Sequence, residues 1–478
     1  MNKIQTSKLE ELANSFRGKI LLPSDEAYES ARKIWNATID RHPAVIARCA
    51  TTSDVVHAVN FARDNGLILA VRGGGHNIAG NAMCDDCIVI DLSQMKAANV
   101  DPDARRVTIE GGATLGDLDA ATQTHGLATP TGVNSTTGIA GLTLGGGFGW
   151  LSRKYGMTVD NLESAEVVTA AGEVVRASAT ERPDLFWALR GGSGNFGVVT
   201  RFEFRLHPVG PDVLSGLIVY PISEAKRVLQ QYREFIAKAP EDLSVWPILR
   251  QAPPLPFLPA EVHGKGVIVL GLLYAGDPKQ GEPLIEPLRN FGTLAGEHVG
   301  VQPYTAWQKT FDPLLTPGAR NYWKSHNFST LKDGLFDVLI EYIEKLPSPQ
   351  SEIFFGALGG ATTRPAPHSA AYAHRDAMFV INFHGRWEDP ADDERCIRWA
   401  RDSFNASASF ASGSAYVNFI TAEEDVQARN AYGPNYDRLA EVKRKYDPGN
   451  LFRMNQNIKP ARKKVAPDQF RREVLHRR

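Results

Sequence analysis

The segment Val71-Arg72-Gly73-Gly74-Gly75-His76-Asn77 decides what kind of fold this sequence encodes. It continues the apolar run Leu67-Ile68-Leu69-Ala70, which predicts a buried strand. Glycine loses much conformational entropy on folding, so consecutive glycines indicate backbone with positive φ or a close approach to a ligand. A loop whose backbone N–H groups are free binds anions, and the obvious guest here is a pyrophosphate.

Two more glycine clusters follow this loop. Gly138-Ile139-Ala140-Gly141 and Gly145-Gly146-Gly147-Phe148-Gly149 lie in residues 129–155, which we expect to be a loop. Gly191-Gly192-Ser193-Gly194-Asn195-Phe196-Gly197 leads into an expected strand over residues 198–206. Strands and short helices alternate around these clusters, a pattern typical of an α+β domain.

A Rossmann dinucleotide site is the main alternative for the first glycine loop. The strand, the three glycines and Asp91, which ends another expected strand, roughly match the spacing of its fingerprint. However, residues 77–86 show no helical periodicity. Because a Rossmann site needs a helix N-terminus that faces the pyrophosphate, the sequence favours a different phosphate-binding fold.

Length and composition narrow the class of protein. The 478 residues indicate two or three domains, and 43% hydrophobic with 22% charged residues is ordinary for a globular protein. A formal net charge of −1 argues against a nucleic-acid partner, and no apolar stretch is long enough to cross a membrane. The start of the chain is polar, unlike a secretory signal, and four cysteines are too few for a disulfide framework, so we expect a cytoplasmic location.

Cys84 and Cys87 form an isolated Cys-x-x-Cys pair. A zinc site needs four ligands, and this pair supplies two, so we predict no metal site here. Cys87 is expected to be a buried structural residue at the start of a strand.

Taken together, the motifs resemble the flavin domain of vanillyl-alcohol-oxidase, or PCMH-type, flavoproteins, and specifically the berberine-bridge-enzyme-like group. The likeness extends over nearly the whole chain. Besides the first loop and the run from Gly138 to Gly149, the motifs that carry it are Arg153-Lys154-Tyr155-Gly156, Asp160-Asn161, Asp184-Leu185-Phe186-Trp187-Ala188-Leu189-Arg190-Gly191-Gly192 and Tyr446-Asp447-Pro448-Gly449-Asn450-Leu451-Phe452.

The resemblance implies an α+β fold with two domains, in which an antiparallel sheet covered by helices forms the substrate domain. Residues 1–208 would form the FAD-binding domain from two α+β subdomains, and residues 209–420 the substrate domain. Residues 421–460 would return to the FAD-binding domain, and residues 461–478 would be a basic tail.

The resemblance also implies that FAD is bound covalently. His76 stands where the family joins a histidine to the flavin 8α-methyl group; without the resemblance, it would merely hydrogen-bond its neighbours. A second link in many relatives comes from a cysteine that aligns with Asn134, which has no sulfur, so we predict a single link. The other implied FAD contacts are Arg72, Gly73, Gly74, Gly75, Asn77, Thr137, Gly138, Gly141, Leu142, Gly145, Gly146, Gly197, Val198, Val199 and Asn455.

Candidate catalytic residues lie on the expected strand over residues 379–387 and near Tyr416. The family's active-site Glu or Gln falls on Asn382, which is no base at neutral pH. His384 faces the same side of the strand and could be the general base, or a hydrogen-bonded core histidine. Tyr416 and Asn418 stand where the family places an active-site tyrosine, and a structural tyrosine is the alternative.

The resemblance implies hydride transfer from a small organic substrate, an alcohol, an amine or an activated C–H, to flavin N5, with reoxidation by molecular oxygen to hydrogen peroxide. Tyrosines that stabilise an oxyanion in relatives fall on Ile78 and Phe148, which favours an apolar or amine-type substrate. Thr137, where relatives control oxygen access, is nearly valine-sized and compatible with oxygen. A dehydrogenase with another electron acceptor and a catalytically silent flavin-binding protein remain alternatives.

Overall fold

A computed structural model describes residues 5–366, 368–421 and 425–462. Its strands are β1 (Lys19–Leu21), β2 (Val45–Arg48), β3 (Leu69–Arg72), β4 (Ile88–Asp91), β5 (Ala98–Asp101), β6 (Arg106–Glu110), β7 (Leu127–Ala128), β8 (Leu162–Val168), β9 (Val174–Ser178), β10 (Val198–Arg205), β11 (His207–Pro208), β12 (Asp212–Pro221), β13 (Leu243–Gln251), β14 (Gly266–Tyr274), β15 (Gly296–Pro303), β16 (Arg320–Phe328), β17 (Glu352–Ala357) and β18 (Phe379–Trp387).

The α-helices of the described residues alternate with these strands. They are α1 (Thr6–Ser15), α2 (Tyr28–Arg32), α3 (Thr52–Asp64), α4 (Leu115–Gln123), α5 (Ile139–Leu144), α6 (Ser152–Tyr155), α7 (Pro183–Leu189), α8 (Ala225–Ile236), α9 (Pro278–Ile285), α10 (Tyr304–Trp307), α11 (Asp333–Glu344), α12 (Asp393–Ser407), α13 (Asp425–Tyr432) and α14 (Tyr436–Tyr446).

The first glycine loop belongs to a small sheet with strand order β1-β2-β4-β3. Strands β2 and β3 both pair with β4 in parallel, and α3 connects β2 to β3. A capping box starts α3, because the Thr51 side chain accepts from the Asp54 N–H and Asp54 returns a bond to the Thr51 backbone. Residues 73–87, which join β3 to β4, contain no helix. The Rossmann alternative is therefore excluded, as the sequence predicted.

The second sheet, β5-β6-β10-β8-β9, is antiparallel. The third glycine cluster leads directly into its strand β10, and the second cluster lies between β7 and β8. The expectation of a continuous loop over residues 129–155 is wrong, because α5 and α6 form within it. Glycines with positive φ stand outside these helices, as Gly146 (130°), Gly147 (76°) and Gly156 (86°) show. Helix α5 forms because its residues are mostly apolar, and Ile139 and Leu144 are buried.

The largest sheet is antiparallel, with strand order β15-β12-β14-β13-β17-β18-β16. Helices α8, α11 and α12 cover one of its faces. The other face, which includes alternate residues of β13, β17 and β18, looks toward the glycine loops. This arrangement confirms the predicted fold class, an α+β flavoprotein fold with an antiparallel substrate sheet covered by helices.

Cys84 and Cys87 differ from their prediction, since they form a disulfide. The turn between them places Asp86 at a φ of 55° and brings the two Cα atoms to 5.8 Å, a separation that a disulfide spans. Cys87 is buried at the start of β4, as expected, but it is not a free thiol.

No helix in the described part of the chain is long and apolar enough to span a membrane. No group of three or more His, Cys, Asp or Glu side chains in the same residues could hold a metal ion. Most of the predicted basic tail, residues 463–478, lies outside the described residues.

Candidate active site

One continuous cavity runs from the glycine loops to the uncovered face of the large sheet. It brings together most of the side chains and loops that the sequence singled out. The predicted residues that line it are Gly73, Gly74, Gly75, His76, Asn77, Thr137, Gly138, Gly141, Leu142, Gly197, Val198, Val199, His384, Tyr416, Asn418 and Asn455.

Four predicted residues do not line the cavity. Arg72 turns away from it and donates a hydrogen bond from Nη1 to the Ala31 carbonyl. Gly145 lies against Asn418, so close that a Cβ would stand 2.1 Å from Asn418 Oδ1. Gly146 packs against the Tyr372 ring in the same way. Asn382, the fourth, is buried in the sheet.

The first loop has the properties of an anion cradle. None of the five consecutive backbone N–H groups from Gly73 to Asn77 donates a hydrogen bond within the described residues. A Cβ on Gly74 would stand 2.3 Å from the Gly138 nitrogen, so the first two glycine loops touch through their backbones. Free N–H groups on closely packed backbone suit the two phosphates of a dinucleotide.

Two further observations fit a nucleotide in this end of the cavity. A Cβ on Gly141 or on Gly194 would meet no atom within 4 Å, so both glycines border open space. Asn455 donates from Nδ2 to the Gly194 carbonyl at 3.1 Å, whereas its Oδ1 is buried and has no partner within the described residues. An unpaired buried acceptor is expensive, and a bound ligand would satisfy it.

A buried lysine holds the C-terminal segment in this wall. Lys443 Nζ contacts Asp447 Oδ2 at 2.6 Å and donates to the carbonyls of Asn195 and Phe452 at 2.7 and 2.8 Å. Burial lowers the pKa of Lys443, and the Asp447 carboxylate offsets part of that shift. The ammonium thus joins the third glycine cluster to the segment that carries Asn455.

His76 lies midway along the cavity in a well-defined orientation. Its ring stacks on Trp35, with 5.1 Å between the ring centroids and 21° between the planes. Its Nε2 is 2.9 Å from Thr136 Oγ1. Burial lowers the pKa of His76 to about 4, only partly offset by a hydrogen bond to the Thr136 backbone. The imidazole is therefore neutral near pH 7, and one ring nitrogen keeps its lone pair.

A polar row crosses the sheet at the far end of the cavity. Arg250 on β13 pairs with Glu352 on β17, which pairs with His384 on β18, and all three line the cavity. Arg250 Nη1 is 2.8 Å from Glu352 Oε2, and Glu352 Oε1 is 3.4 Å from His384 Nδ1. Burial opposes ionisation of Glu352, but Arg250 and the neighbouring charges prevail and lower its pKa.

The proton of His384 can be assigned from its neighbours. Arg386 can only donate, so Asn321 Oδ1, which accepts from Arg386 Nη1 at 3.2 Å, is an oxygen. His384 Nε2 lies 3.0 Å from the same oxygen and must carry the proton. Burial, with the two arginines, lowers the pKa of His384 although Glu352 opposes this. Nδ1 is then the ring nitrogen that faces the Glu352 carboxylate, and a proton bound there would bridge the two side chains.

Asn382 occupies the next row of the same face, between Phe354 on β17 and Ser325 on β16. Phe354 lines the cavity, whereas Asn382 does not. Both polar atoms of its amide are buried without a partner among the described residues. The sequence thus identified the right sheet face, but the groups that reach the cavity at this point belong to His384 and Glu352.

Tyr416 and Asn418 form a hydrogen-bonded pair beneath the second glycine cluster. The Tyr416 hydroxyl accepts from the Gly147 N–H at 2.9 Å and from Asn418 Nδ2 at 3.0 Å. Burial raises the pKa of Tyr416 to about 12 despite these two donors, so the phenol is neutral. Its own proton is left free to donate toward the cavity that it lines.

Aromatic side chains form much of the wall between His76 and the polar row. Phe148, which stands at one of the two positions where relatives carry tyrosine, is among them. Ile78, at the other position, is buried outside the lining. Besides Tyr416 and Phe452, the aromatic residues that line the cavity are Trp35, Phe148, Trp150, Trp246, Phe311, Trp323, Phe354 and Phe419.

Comparison with known proteins agrees with this geometry. A family model described as an FAD binding domain matches residues 43–178, and one described as berberine and berberine like matches residues 415–459. An FAD-linked oxidoreductase from Dictyostelium discoideum is 32% identical over 460 residues, which cover 95% of this chain and 97% of the relative. The chain belongs to the berberine-bridge-enzyme-like family of FAD-linked oxidoreductases.

Other members of this berberine-bridge-enzyme-like family have names that state a substrate. The (R)-6-hydroxynicotine oxidase of Paenarthrobacter nicotinovorans is 31% identical over 470 residues, covering 93% of this chain and 97% of the relative. The crystal structure of 6-hydroxy-D-nicotine oxidase from Arthrobacter nicotinovorans matches with a TM-score of 0.83 at 29% identity, over 94% of this chain and 99% of that one. Xylooligosaccharide oxidase from Myceliophthora thermophila, in complex with xylobiose, matches with a TM-score of 0.81 at 26% identity, over 95% and 99%.

The sequence did not single out three residues of this oxidoreductase site. Trp35 lies in a short segment after α2, and no motif marks it. Arg250 ends the apolar strand β13 and Glu352 begins the apolar strand β17. Opposite charges at the ends of two buried strands are a signal for a pair, because a buried charge needs a partner. Which two strands are neighbours was not readable from the sequence.

Proposed function

We propose that this oxidoreductase is an oxidase that takes hydride from a small amine or alcohol with a ring-shaped, mainly apolar body. FAD would be bound through a single covalent link to His76, and molecular oxygen would be the electron acceptor. The observation that carries this proposal is the single cavity that joins the N–H cradle, His76 and the Glu352–His384 pair.

FAD, when bound, supplies the electron chemistry by accepting hydride at N5. The chain binds its phosphates at residues 73–77 and its nucleotide end near Gly141, Gly194 and Asn455. Neutral His76 has a lone pair for the covalent bond. Asn134, at the position of the second link in relatives, has no nucleophile, which supports a single link.

Glu352 and His384 would take the substrate proton. Nδ1 of His384 and Oε1 of Glu352 lie 3.4 Å apart, close enough to share a proton. A proton released from a substrate O–H or N–H group would be held between them. The neutral Tyr416 hydroxyl would donate a hydrogen bond to the substrate or the flavin from the other side.

The wall of the cavity favours a substrate with few polar groups. Aromatic side chains make up much of the cavity lining, whereas a sugar chain needs a hydrogen-bond partner for each hydroxyl group. Of the substrates that the relatives' names state, the hydroxynicotine type therefore fits this wall better than the xylooligosaccharide type. A heterocyclic amine is the substrate class that we propose.

Further assignments belong to the same proposal. The division at residues 208 and 420 into a flavin part and a substrate part follows from the resemblance, as does oxygen access past Thr137, which lines the cavity. A cytoplasmic location remains a prediction from the sequence, and the Cys84–Cys87 disulfide would be uncommon there.

Acid precipitation tests the covalent link. Wild-type protein should leave its yellow colour in the pellet, because the flavin is bonded to the chain, and His76→Ala should release all flavin into the supernatant. His125→Ala, a histidine outside the cavity lining, is the matched control and should behave as wild type. Colour that stays in the His76→Ala pellet would contradict the link.

Substrate class is then tested by screening amines, alcohols and sugars for flavin bleaching and for hydrogen peroxide in the presence of oxygen.

A further inference from the structure

The ring nitrogen of His76 that can react is determined by two neighbours, Asn134 and Thr136. The Thr136 backbone N–H donates to Asn134 Oδ1 at 3.0 Å, which identifies that atom as the oxygen, since a backbone N–H can only donate. Thr136 Oγ1 lies 2.7 Å from the same oxygen and therefore donates its own proton to it. The hydroxyl has then no proton to offer His76 Nε2 at 2.9 Å, so Nε2 must be the donor.

We infer that Asn134 and Thr136 are positioning residues for flavin attachment, because they keep the proton of His76 on Nε2 and its lone pair on Nδ1. This inference rests on the proposed covalent link. It also gives Asn134 a function at a position where relatives carry a second flavin link. The ring nitrogen that contacts the Thr136 hydroxyl is Nε2.

Attachment of the flavin to His76 is a two-electron oxidation. The bond between Nδ1 and the 8α-carbon forms as the methyl group loses one proton and the imidazole loses the Nε2 proton. The two electrons pass to the isoalloxazine ring, and molecular oxygen takes them with two protons to give hydrogen peroxide. As the bond forms, positive charge develops on the imidazole, and the chain of hydrogen bonds from Nε2 through Thr136 to Asn134 stabilises that charge.

Trp35 fixes the plane of the reacting ring. Its Nε1 donates to the Leu315 carbonyl at 2.8 Å, which anchors the indole on which His76 stacks. The Arg386 guanidinium lies 5.5 Å from the centre of the same indole. The stacked indole and the Thr136 hydrogen bond together hold the His76 ring with Nε2 toward Thr136.

The rate of covalent attachment tests this inference. Full-length protein is produced without flavin in riboflavin-starved auxotrophic cells and mixed with excess FAD. Samples are denatured in acid at intervals, and the intact mass shows the fraction that carries flavin. Asn134→Leu keeps the shape of the side chain but removes the acceptor, and Thr136→Val removes the hydroxyl. Asn134→Asp and Thr136→Ser keep the hydrogen bonds and are the conservative controls.

We expect the Leu and Val variants to attach flavin at least about tenfold more slowly, the effect of one charge-assisted hydrogen bond, and the Asp and Ser variants to stay within about threefold of wild type. Non-covalent FAD affinity, measured by fluorescence at early times, should change little. If Asn134→Leu does not fold, the Val and Ser pair at position 136 carries the test alone. NMR of the flavin peptide from wild type should show substitution at Nδ1.

The other possible outcomes distinguish a failure of the covalent link from a failure of the inference about Asn134 and Thr136. Wild-type protein that never gains the flavin mass would refute the proposed covalent link itself. Covalent wild type with Leu and Val variants that react equally fast would overturn the inference about Asn134 and Thr136 and leave the link intact. Substitution at Nε2, or an Asp variant as slow as the Leu variant, would overturn it as well.

Discussion

At the scale of single residues, Glu352 is the least expected feature of the site. A carboxylate in an aromatic wall is costly to bury, and an ion pair such as Arg250–Glu352 seldom repays that cost in stability. Arg250 occupies one carboxylate oxygen, whereas the other faces His384 and the cavity. A group that is expensive for folding and open to a substrate is best understood as part of the reaction.

Glu352→Gln should slow flavin reduction by about a hundredfold or more, because an amide cannot share the proton that the substrate releases. Covalent flavin should remain, since His76 is untouched. Stopped-flow absorbance of flavin bleaching under anaerobic conditions measures the rate. Glu241→Gln removes a surface carboxylate that pairs with Arg364 and is the control, which should match wild type. An unchanged bleaching rate in Glu352→Gln would exclude this carboxylate as the proton acceptor.

At the scale of secondary-structure elements, the end of helix α14 determines the shape of the cavity wall. Asp447 accepts from the N–H groups of Leu451 and Phe452, and Asn450, just before Leu451, has a φ of 52°. This turn reverses the chain, so that Phe452, Met454 and Asn455 line the cavity. The motif Tyr446-Asp447-Pro448-Gly449-Asn450 therefore acts through backbone geometry and is held in place by Lys443.

Lys443→Met should destabilise the protein by roughly 3–5 kcal/mol and weaken FAD retention, because it leaves the buried Asp447 carboxylate without its partner. Lys445→Met is the matched control on the same helix. Lys445 pairs with Asp184 at the surface, where an ion pair contributes at most about 1 kcal/mol. Urea unfolding and the flavin content of purified protein check both variants. Equal losses of stability and flavin content in the two variants would show that the buried Lys443–Asp447 pair contributes no more than a surface ion pair.

At the scale of the whole molecule, a buried carboxyl group joins the second sheet's helix α4 to the segment after α10. Asp119 Oδ2 accepts from Gln308 Nε2 at 3.1 Å, and the same amide donates to Thr131 Oγ1 at 3.1 Å and to the Gly132 carbonyl at 3.3 Å. Burial raises the pKa of Asp119 to about 7, although the Gln308 hydrogen bond opposes this. The contact is therefore neutral at acid pH and charged at alkaline pH.

The stability of Asp119→Asn, measured as its free energy of unfolding minus that of wild type, should be higher at pH 8 than at pH 4. The unfolded chain releases the Asp119 proton near pH 3.8, whereas the folded chain keeps it to about pH 7. Between these pH values the folded state holds the Asp119 proton and the unfolded state does not. The contribution of Asp119 to wild-type stability therefore falls as pH rises, by roughly 4 kcal/mol in total. Urea unfolding of the holoprotein across this range measures the difference, with the surface variant Asp103→Asn as control. A constant difference between Asp119→Asn and wild type would contradict this assignment.

The sequence alone determined the cofactor end of the site. The first glycine loop, its place between strands β3 and β4, and the absence of a helix after it are local properties, since glycine and apolar periodicity act on neighbouring residues. Local periodicity failed where glycine was read only as a loop former, because α5 forms inside residues 129–155. The disulfide between Cys84 and Cys87 was also missed, because it depends on the turn at Asp86.

Only the tertiary structure decided the substrate end. Trp35, Arg250, Glu352 and His384 are far apart in the chain and meet because β13, β17 and β18 are neighbours in one sheet. Strand order and register depend on contacts between distant segments, and a shift by one residue would turn Glu352 away from the cavity. The sequence by itself thus determined the family of the protein and the position of its glycine loops, whereas the packing of distant strands decided which groups face the cavity.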